Sequence, residues 1–236
     1  MTVRVLDDRG ALPQGDAKRR AVESMFDRLA PGYDRMNRVI SLGLDRRWRR
    51  RTVGSLALTD RSLVLDLACG TGDLCRELGA AGHDAIGVDF SAGMLAAARA
   101  SAPFVRGDAA SLPFRSGTLD GVVCGFALRN FVDLPAVLHE CARVMRLGGR
   151  LAALDAAIPT NPLLRAGNAV RFRAAVPLLG RVLTRDADAY RYLPKSTAYL
   201  PPAPTLVALL TEAGFRNPAC ATLTGGSVQI LTGTRA

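Results

Sequence analysis

Apolar positions recur with two different periods along this chain, and the change of period divides it. Between Ala17 and about Arg51 the spacing is helical. Val22, Met25, Phe26 and Leu29 stand at i, i+3, i+4 and i+7, and Pro31-Gly32 stops that helix. Tyr33–Ile40 continues as a short helix, and Asp45 can cap a third through Trp48 to Val53. Beyond Thr59 short apolar runs alternate with helical stretches. Strands are expected over Ser62–Leu67, Asp84–Asp89, Pro103–Arg106, Leu119–Phe126 and Gly149–Asp155. Helices are expected between them over Gly72–Ala80, Ala92–Ala100 and Leu134–Met145. That βαβα order predicts an α/β fold with a parallel sheet covered on both faces.

The alternation breaks after Pro159. Pro162–Leu183 reads as a helix interrupted near Pro177, and Asp186–Leu193 as another short one. Thr205–Ala213 reads as a helix ending at Gly214, followed by a hairpin of Phe215–Leu223 and Ser227–Gly233 around Thr224-Gly225-Gly226. The chain therefore divides into a mobile arm (1–16), an N-terminal helical lid or substrate region (17–58), a ligand-binding core (59–158), a helical insertion (159–200) and a C-terminal helix with the closing hairpin (201–236).

Composition narrows the function classes. With 236 residues, 49% of them hydrophobic, the chain can fill one sizeable core. No apolar run approaches the roughly 20 residues of a membrane span, and the N-terminus lacks the apolar stretch of a signal peptide, so a cytoplasmic place is expected. Five cysteines without a C-x-x-C pair and two histidines, His83 and His139, argue against a metal site or an imidazole dyad; His139 reads as a helix-face residue. The net charge of +10 is carried by arginine except at Lys18 and Lys195. Arginines cluster at 46, 47, 49, 50 and 51, and again from Arg165 to Arg185, where no acid occurs. Only Trp48 and Phe172 interleave with them, too few for base stacking, so no nucleic-acid partner is expected. An anionic surface such as phospholipid headgroups fits better. Pro162–Leu183 sets Leu163, Leu164, Val170, Phe172 and Val176 among arginines, which suits an interfacial helix. The alternatives are a helix packed on its own sheet or across a homodimer interface.

The strongest local motif is Val64-Leu-Asp-Leu-Ala-Cys-Gly-Thr-Gly-Asp73, a strand running into a glycine-rich turn and a helix. A dinucleotide fold would place a third glycine where Cys75 stands, and Asp66 and Asp73 would repel a diphosphate. An aminoacyl ligand with an ammonium group would instead welcome Asp66, so Gly70 and Gly72 suit S-adenosylmethionine. Asp89 ends the second strand and can accept both ribose hydroxyls; the alternative use is a cap for the helix near Ser91. Asp108-Ala109 follows the third strand and can take the adenine amino group. Met94 packs either on the adenine or in the core.

With these residues in place, the sequence resembles the class I S-adenosylmethionine methyltransferases. More narrowly it resembles the ubiquinone/menaquinone biosynthesis C-methyltransferase family. The resemblance runs through Phe26–Asn37, Ser41–Arg50, Leu65–Asp73, Gly125–Asn130, Arg143–Leu151, Tyr190–Pro194 and Leu223–Gly226. It implies a Rossmann-like fold with a mostly parallel seven-stranded sheet, an N-terminal helical extension and a helical insertion after the fifth strand. It also implies methylation of a ring carbon in a polyprenylated quinol precursor such as demethylmenaquinol, with Thr71, Asp89, Asp108 and Ala109 touching the cofactor. Arg129 would stabilise a phenolate, or else form a structural ion pair, and Asn130 and Tyr33 would position the reactants. Three departures mark the site. Gly125 stands where the family usually has a cofactor-bonding Ser, Asp155-Ala-Ala157 replaces Glu-Phe-Ser, and Gln229-Ile-Leu231 replaces Ala-Leu-His. They put Asp155 and Gln229, with Tyr190, at the substrate pocket. A methyltransferase for a soluble aromatic or amine metabolite is the second reading, and a non-catalytic nucleoside-binding regulator the third.

Overall fold

The computed structural model describes residues 13–170, 192 and 195–236. Seven strands form one sheet in the order β3-β2-β1-β4-β5-β7-β6: β1 (Leu63–Leu67), β2 (Asp84–Asp89), β3 (Phe104–Arg106), β4 (Leu119–Gly125), β5 (Met145–Ala156), β6 (Phe215–Leu223) and β7 (Val228–Arg235). The first five are parallel; β7 runs antiparallel to β5, and β6 to β7. This is the Rossmann-like class I methyltransferase arrangement, with the chain reversing its strand order between β1 and β4.

Side-chain alternation along the strands decides which helices cover which face. Leu65, Leu67, Val122, Cys124, Leu151 and Ala153 point to one side, where α6 (Leu134–Val144) and α8 (Ala203–Glu212) pack through Val137, Leu138, Cys141, Leu206 and Leu210. Val64, Val123 and Ala152 point to the other, against Val53 and Leu56 at the end of α3 (Asp45–Ser55) and Leu74 and Leu78 of α4 (Asp73–Ala80). A separate cluster joins α1 (Gly15–Leu29) and α2 (Tyr33–Ile40) to α5 (Ala92–Ala96) through Val22, Met25, Leu29, Met36 and Met94, with Tyr192 buried among them. α7 (Pro162–Val170) follows β5. Among the described residues no helix is long and apolar enough to cross a membrane.

Several elements differ from the sequence reading. α1 starts at Gly15, inside the expected arm, and the rest of that arm lies outside the described residues but for Pro13 and Gln14. α5 stops at Ala96 rather than Ala100, because the chain turns back and the Arg99 N–H bonds the Thr71 carbonyl at 3.3 Å. β5 begins at Met145, with a register shift around Gly148–Gly149 that the apolar pattern did not show. The helix expected over Pro162–Leu183 is seen to Val170; its remainder, and all of Asp186–Leu193 except Tyr192, lie outside the described residues.

Asp66 ties β1 to α4. It shares the α4 face of the strand with Val64, and its Oδ2 accepts the Cys75 N–H at 3.0 Å and the Cys75 thiol at 3.3 Å. One of the open donors at the start of α4 is thereby satisfied. Oδ1 is buried and finds no partner among the described residues. Burial pushes the carboxyl up to about 7, against the pull of the two Cys75 bonds. An unfolded aspartate titrates near pH 4, so the folded chain binds more protons between there and pH 7, and stability falls as pH rises through that window. Urea unfolding between pH 5 and pH 8 is therefore expected to cost the wild type about 2 kcal/mol more than Asp66→Asn, which keeps an acceptor for Cys75 without the charge. Parallel curves for the two proteins would show that Asp66 is ionised throughout.

Candidate functional site

The site lies where β1 and β4 diverge, at their carboxyl ends, the place at which open α/β sheets bind ligands. β1 leads into a tight turn in which Ala68, Gly70 and Gly72 all take positive φ (54°, 56° and 83°). Gly70 leaves a bare backbone edge: a Cβ there would sit 3.7 Å from the Tyr33 ring and 3.9 Å from the Met94 sulfur. Gly72 serves packing, since a Cβ would run into Phe104 at 2.9 Å. Beside the turn, Asp89 is buried at the end of β2, with Oδ2 accepting the Gly70 N–H at 2.8 Å and Oδ1 the Ser91 N–H at 2.9 Å. Burial pushes its carboxyl up, while the Ser91 and Gly70 bonds pull it down.

Three cavities run from this turn and share walls. The first, about 190 Å³, is lined by Leu67, Val88, Asp89, Phe90, Asp108, Ala109, Asn130, Phe131 and Val137. Its apolar walls and acidic rim fit a flat base carrying a ribose, with Asp89 at the sugar and Asp108 and Ala109 at the base. Asp108 also pairs with Arg19 of α1 at 3.0 Å. The second, about 50 Å³, is bounded by Tyr33, Gly70, Asp89, Met94, Gly125 and Asn130, and fits the sulfonium end of the same ligand. The third, about 110 Å³, is mainly apolar, lined by Phe26, Tyr33, Ile40, Trp48, Phe126, Arg129, Ala156 and Val228. Asp89, Phe90 and Asn130 are common to the first two, and Phe26, Tyr33 and Phe126 to the last two.

Arg129 and Asn130 stand on a 3₁₀ turn, Leu128–Asn130, just after β4. The Arg129 guanidinium forms a buried ion pair with Asp155, donates to the Phe126 carbonyl at 2.8 Å and to Ser196 at 3.2 Å. Burial pulls its pKa down, but Asp155, with Tyr33 and Tyr192, more than offsets this and the net movement is upward. Phe126 reaches that carbonyl geometry at φ 59°, a left-handed backbone rare for an aromatic residue and common near functional sites. Asn130 accepts a hydrogen bond from the Tyr192 hydroxyl at 2.9 Å. Tyr33 stacks edge-on against Phe26 at 5.9 Å.

The N-terminal helices roof these cavities through polar ties that sequence reasoning missed. Asp27 accepts from the Ser91 hydroxyl at 2.6 Å and the Gly93 N–H at 2.9 Å, and Asp34 accepts from the Thr71 hydroxyl. Lys18 reaches the Arg129 and Phe131 carbonyls. Each of these partners lies 37 or more residues away, so no local pattern announces it; Lys18 stood out only as one of two lysines.

Several expected site residues are not where the sequence reading put them. Asp66, on β1, faces α4 beneath the turn and lines none of the three cavities, so it can act on a ligand only through the turn. Asp155 is fully buried and committed to Arg129, which removes it from direct contact with an acceptor. Gln229 is buried too, donating to the Ala156 carbonyl at 3.3 Å and accepting from the Cys220 thiol at 3.2 Å. Tyr190 lies outside the described residues. Thr71 is buried, its hydroxyl held by Asp34. In the arginine run, Arg49 is buried between Asp45 and Asp73 while Arg46 and Arg50 both pair with Glu77, so three of its five charges serve packing between α3 and α4 rather than an outside anion.

Comparison with known proteins identifies the family. Residues 14–235 match the model of the ubiE/COQ5 methyltransferase family. A demethylmenaquinone methyltransferase of Roseiflexus sp. (strain RS-1) is 42% identical over 231 residues, covering 95% of this chain and 97% of its own. One from Mycolicibacterium vanbaalenii is 43% identical over 216 residues, covering 91% and 95%. Among solved structures, a methyltransferase of Thermotoga maritima superposes with a TM-score of 0.65 at 17% identity, covering 91% of this chain and 99% of that one, which supports the fold. The protein is an S-adenosylmethionine-dependent methyltransferase, and with a family match across nearly its whole length the chain belongs to the ubiE/COQ5 methyltransferase family.

Proposed function

We propose that this chain methylates a ring carbon of a quinol precursor such as demethylmenaquinol. The observation that carries the reading is the line of three cavities, which joins a nucleoside-sized cleft to a mainly apolar chamber whose wall holds the buried Arg129 cation, with the Asp45 carboxylate, itself paired to Arg49, also in its lining. S-adenosylmethionine, bound along the first two cavities, supplies an electrophilic methyl group. Asp89 would hold the ribose, Asp108 and Ala109 the adenine edge, Met94 would pack by the sulfonium end, and the Gly70–Gly72 backbone would lie against the amino-acid end. The chamber seats a flat aromatic ring between Phe26, Tyr33 and Phe126 and excludes water from it. Arg129 remains a cation there and stabilises the phenolate whose charge makes the neighbouring ring carbon nucleophilic. Tyr33 and Asn130 border the second cavity and set the angle of approach.

The purified enzyme with labelled S-adenosylmethionine is expected to methylate a short-tailed demethylmenaquinol in preference to tail-free phenols and amines; turnover of soluble acceptors alone would overturn the reading. In the same assay Asp89→Ala is expected to weaken cofactor affinity about 10-fold or more, since hydrogen bonds to a charged group contribute about 1.5–3 kcal/mol each. Unchanged affinity would place the ribose elsewhere.

The Arg129–Asp155 pair allows stability and chemistry to be separated. Arg129→Leu alone leaves a buried carboxylate unpaired and is expected to cost about 3–5 kcal/mol by urea denaturation. Arg129→Leu with Asp155→Leu should recover most of that stability and none of the turnover. Recovered turnover would remove Arg129 from the chemistry.

A polyprenyl tail also implies a cytoplasmic enzyme that meets an anionic membrane peripherally. Ile158, Leu163 and Leu164 are exposed at 64%, 83% and 49%. They lie near the chamber wall, because Leu164 packs at Gly225 and Pro159 at Gly226, next to Ser227 and Val228. The protein is expected to sediment with anionic vesicles at low salt, and Leu163→Asp/Leu164→Asp to stay in solution. A wild type that remains in the supernatant refutes this part of the reading.

A further inference from the structure

Lys18 has no part in the chemistry described so far, yet it is the most deeply placed cation of the N-terminal helices, slightly less exposed than the paired Arg49. It is 5% exposed on α1, and among the described residues no carboxylate pairs with it. Its ammonium donates to the Arg129 carbonyl at 3.0 Å and the Phe131 carbonyl at 2.7 Å, and lies 3.8 Å from the centre of the Tyr199 ring. Burial without a counter-ion is expensive, and it lowers the Lys18 pKa to about 8, so the charge is kept at neutral pH by two carbonyl dipoles and a ring face. Such a cost calls for an account beyond packing, since a Leu or Met would fill the same space without it.

The two carbonyls explain the choice. They belong to the residues on either side of Asn130, so one ammonium clamps the backbone immediately before and after it. A lysine ammonium offers three donors from a single point, which lets it meet two carbonyls and an aromatic face together. The clamped turn also carries the Arg129 guanidinium. α1 itself is seated over the cofactor cleft by Asp27 on Ser91 and Gly93, and by Val22 and Met25 against the Met94 cluster.

We propose that Lys18 is a positioning residue for methyl transfer, which holds the Arg129–Asn130 turn in its working geometry only while α1 is seated over the cleft. The inference rests on the roles given above to Arg129 and Asn130. It makes closure of the roof and assembly of the reacting geometry one event, because the same side chain performs both. A helix α1 displaced from the cleft takes the ammonium with it and releases the turn.

The test compares Lys18→Met, Lys18→Gln and Lys18→Arg with the wild type in two independent readouts. In the methyl-transfer assay, Lys18→Met is expected to lower kcat roughly 10- to 100-fold while S-adenosylmethionine affinity and acceptor KM stay within about threefold, and Lys18→Arg, a cation of different donor geometry, to recover only part of the loss. In hydrogen–deuterium exchange with S-adenosylhomocysteine bound, amides of residues 126–132 should lose protection in Lys18→Met while those of the Gly70 turn keep theirs. Equal loss of kcat and cofactor affinity, or unchanged exchange at 126–132, would overturn the proposal. Should Lys18→Met fail to fold, Lys18→Gln carries the same comparison. Exchange needs no acceptor, so a wild type inactive on quinols would refute the substrate reading and still leave the Lys18 clamp to stand or fall by its own measurement.

Discussion

The Arg129–Asp155 ion pair is the constraint around which this site is arranged. Two opposite charges taken out of water gain from each other only if their remaining hydrogen-bonding capacity is also met. Here it is met from every side. Asp155 accepts the backbone N–H groups of Arg129 and Ala156 at 3.2 and 2.7 Å, and the guanidinium is shared with the Phe126 carbonyl and Ser196. Those partners come from the ends of β4 and β5 and from the segment before α8. One pair thus fixes the relative position of three chain segments that are distant in sequence. It also explains the left-handed Phe126, whose conformation places its carbonyl where the guanidinium can use it.

Much of the fold was legible because the sheet's own chemistry is local. Parallel strands buried on both faces read as short continuous apolar runs, and β1, β2 and β4 fall within a residue of where those runs lie. The glycine turn, Asp89 and Asp108 were legible as cavity-lining positions for a related reason: each begins at or within two residues of a strand's carboxyl end, where open α/β sheets form their clefts. Asp66 was misplaced because every other residue of Leu63–Leu67 is apolar, so nothing in the strand marks which face carries the carboxylate. Asp155 and Lys18 were illegible in a deeper sense. Their partners lie 26 and more than 100 residues away, and only the folded topology brings them together.

The departures from the family pattern have a packing counterpart. A side chain at Gly125 would meet Leu74 Cδ1 at 2.9 Å, so Leu74 already fills the room that a serine would use. The space behind Gly125 is thus packed by an apolar side chain rather than left void, and the polar side chains bordering the second cavity are those of Tyr33, Asp89 and Asn130. Gln229 compensates similarly at the strand end: with no opening toward the chamber, its amide satisfies the Ala156 carbonyl, and Ala156 itself forms part of the chamber wall.

The N-terminal helices complete this logic. Their polar ties, Asp27 to Ser91 and Gly93, Asp34 to Thr71 and Lys18 to the 128–130 turn, end on loops that bound the cavities, while their apolar contact is to the small Met94 cluster. A net hydrogen bond contributes only about 1 kcal/mol, so these ties add direction and register to the apolar contact with the Met94 cluster rather than most of its stability. A ligand filling the first two cavities supports Gly70, Asp89 and Met94, the same groups or their direct neighbours on which the roof rests. A ligand there and the seated roof therefore support one another by ordinary linkage. The turn that carries Arg129 and Asn130 is tied to the roof through Lys18 as well as to the sheet through Asp155, so the two layers that bound the cavities share one piece of backbone.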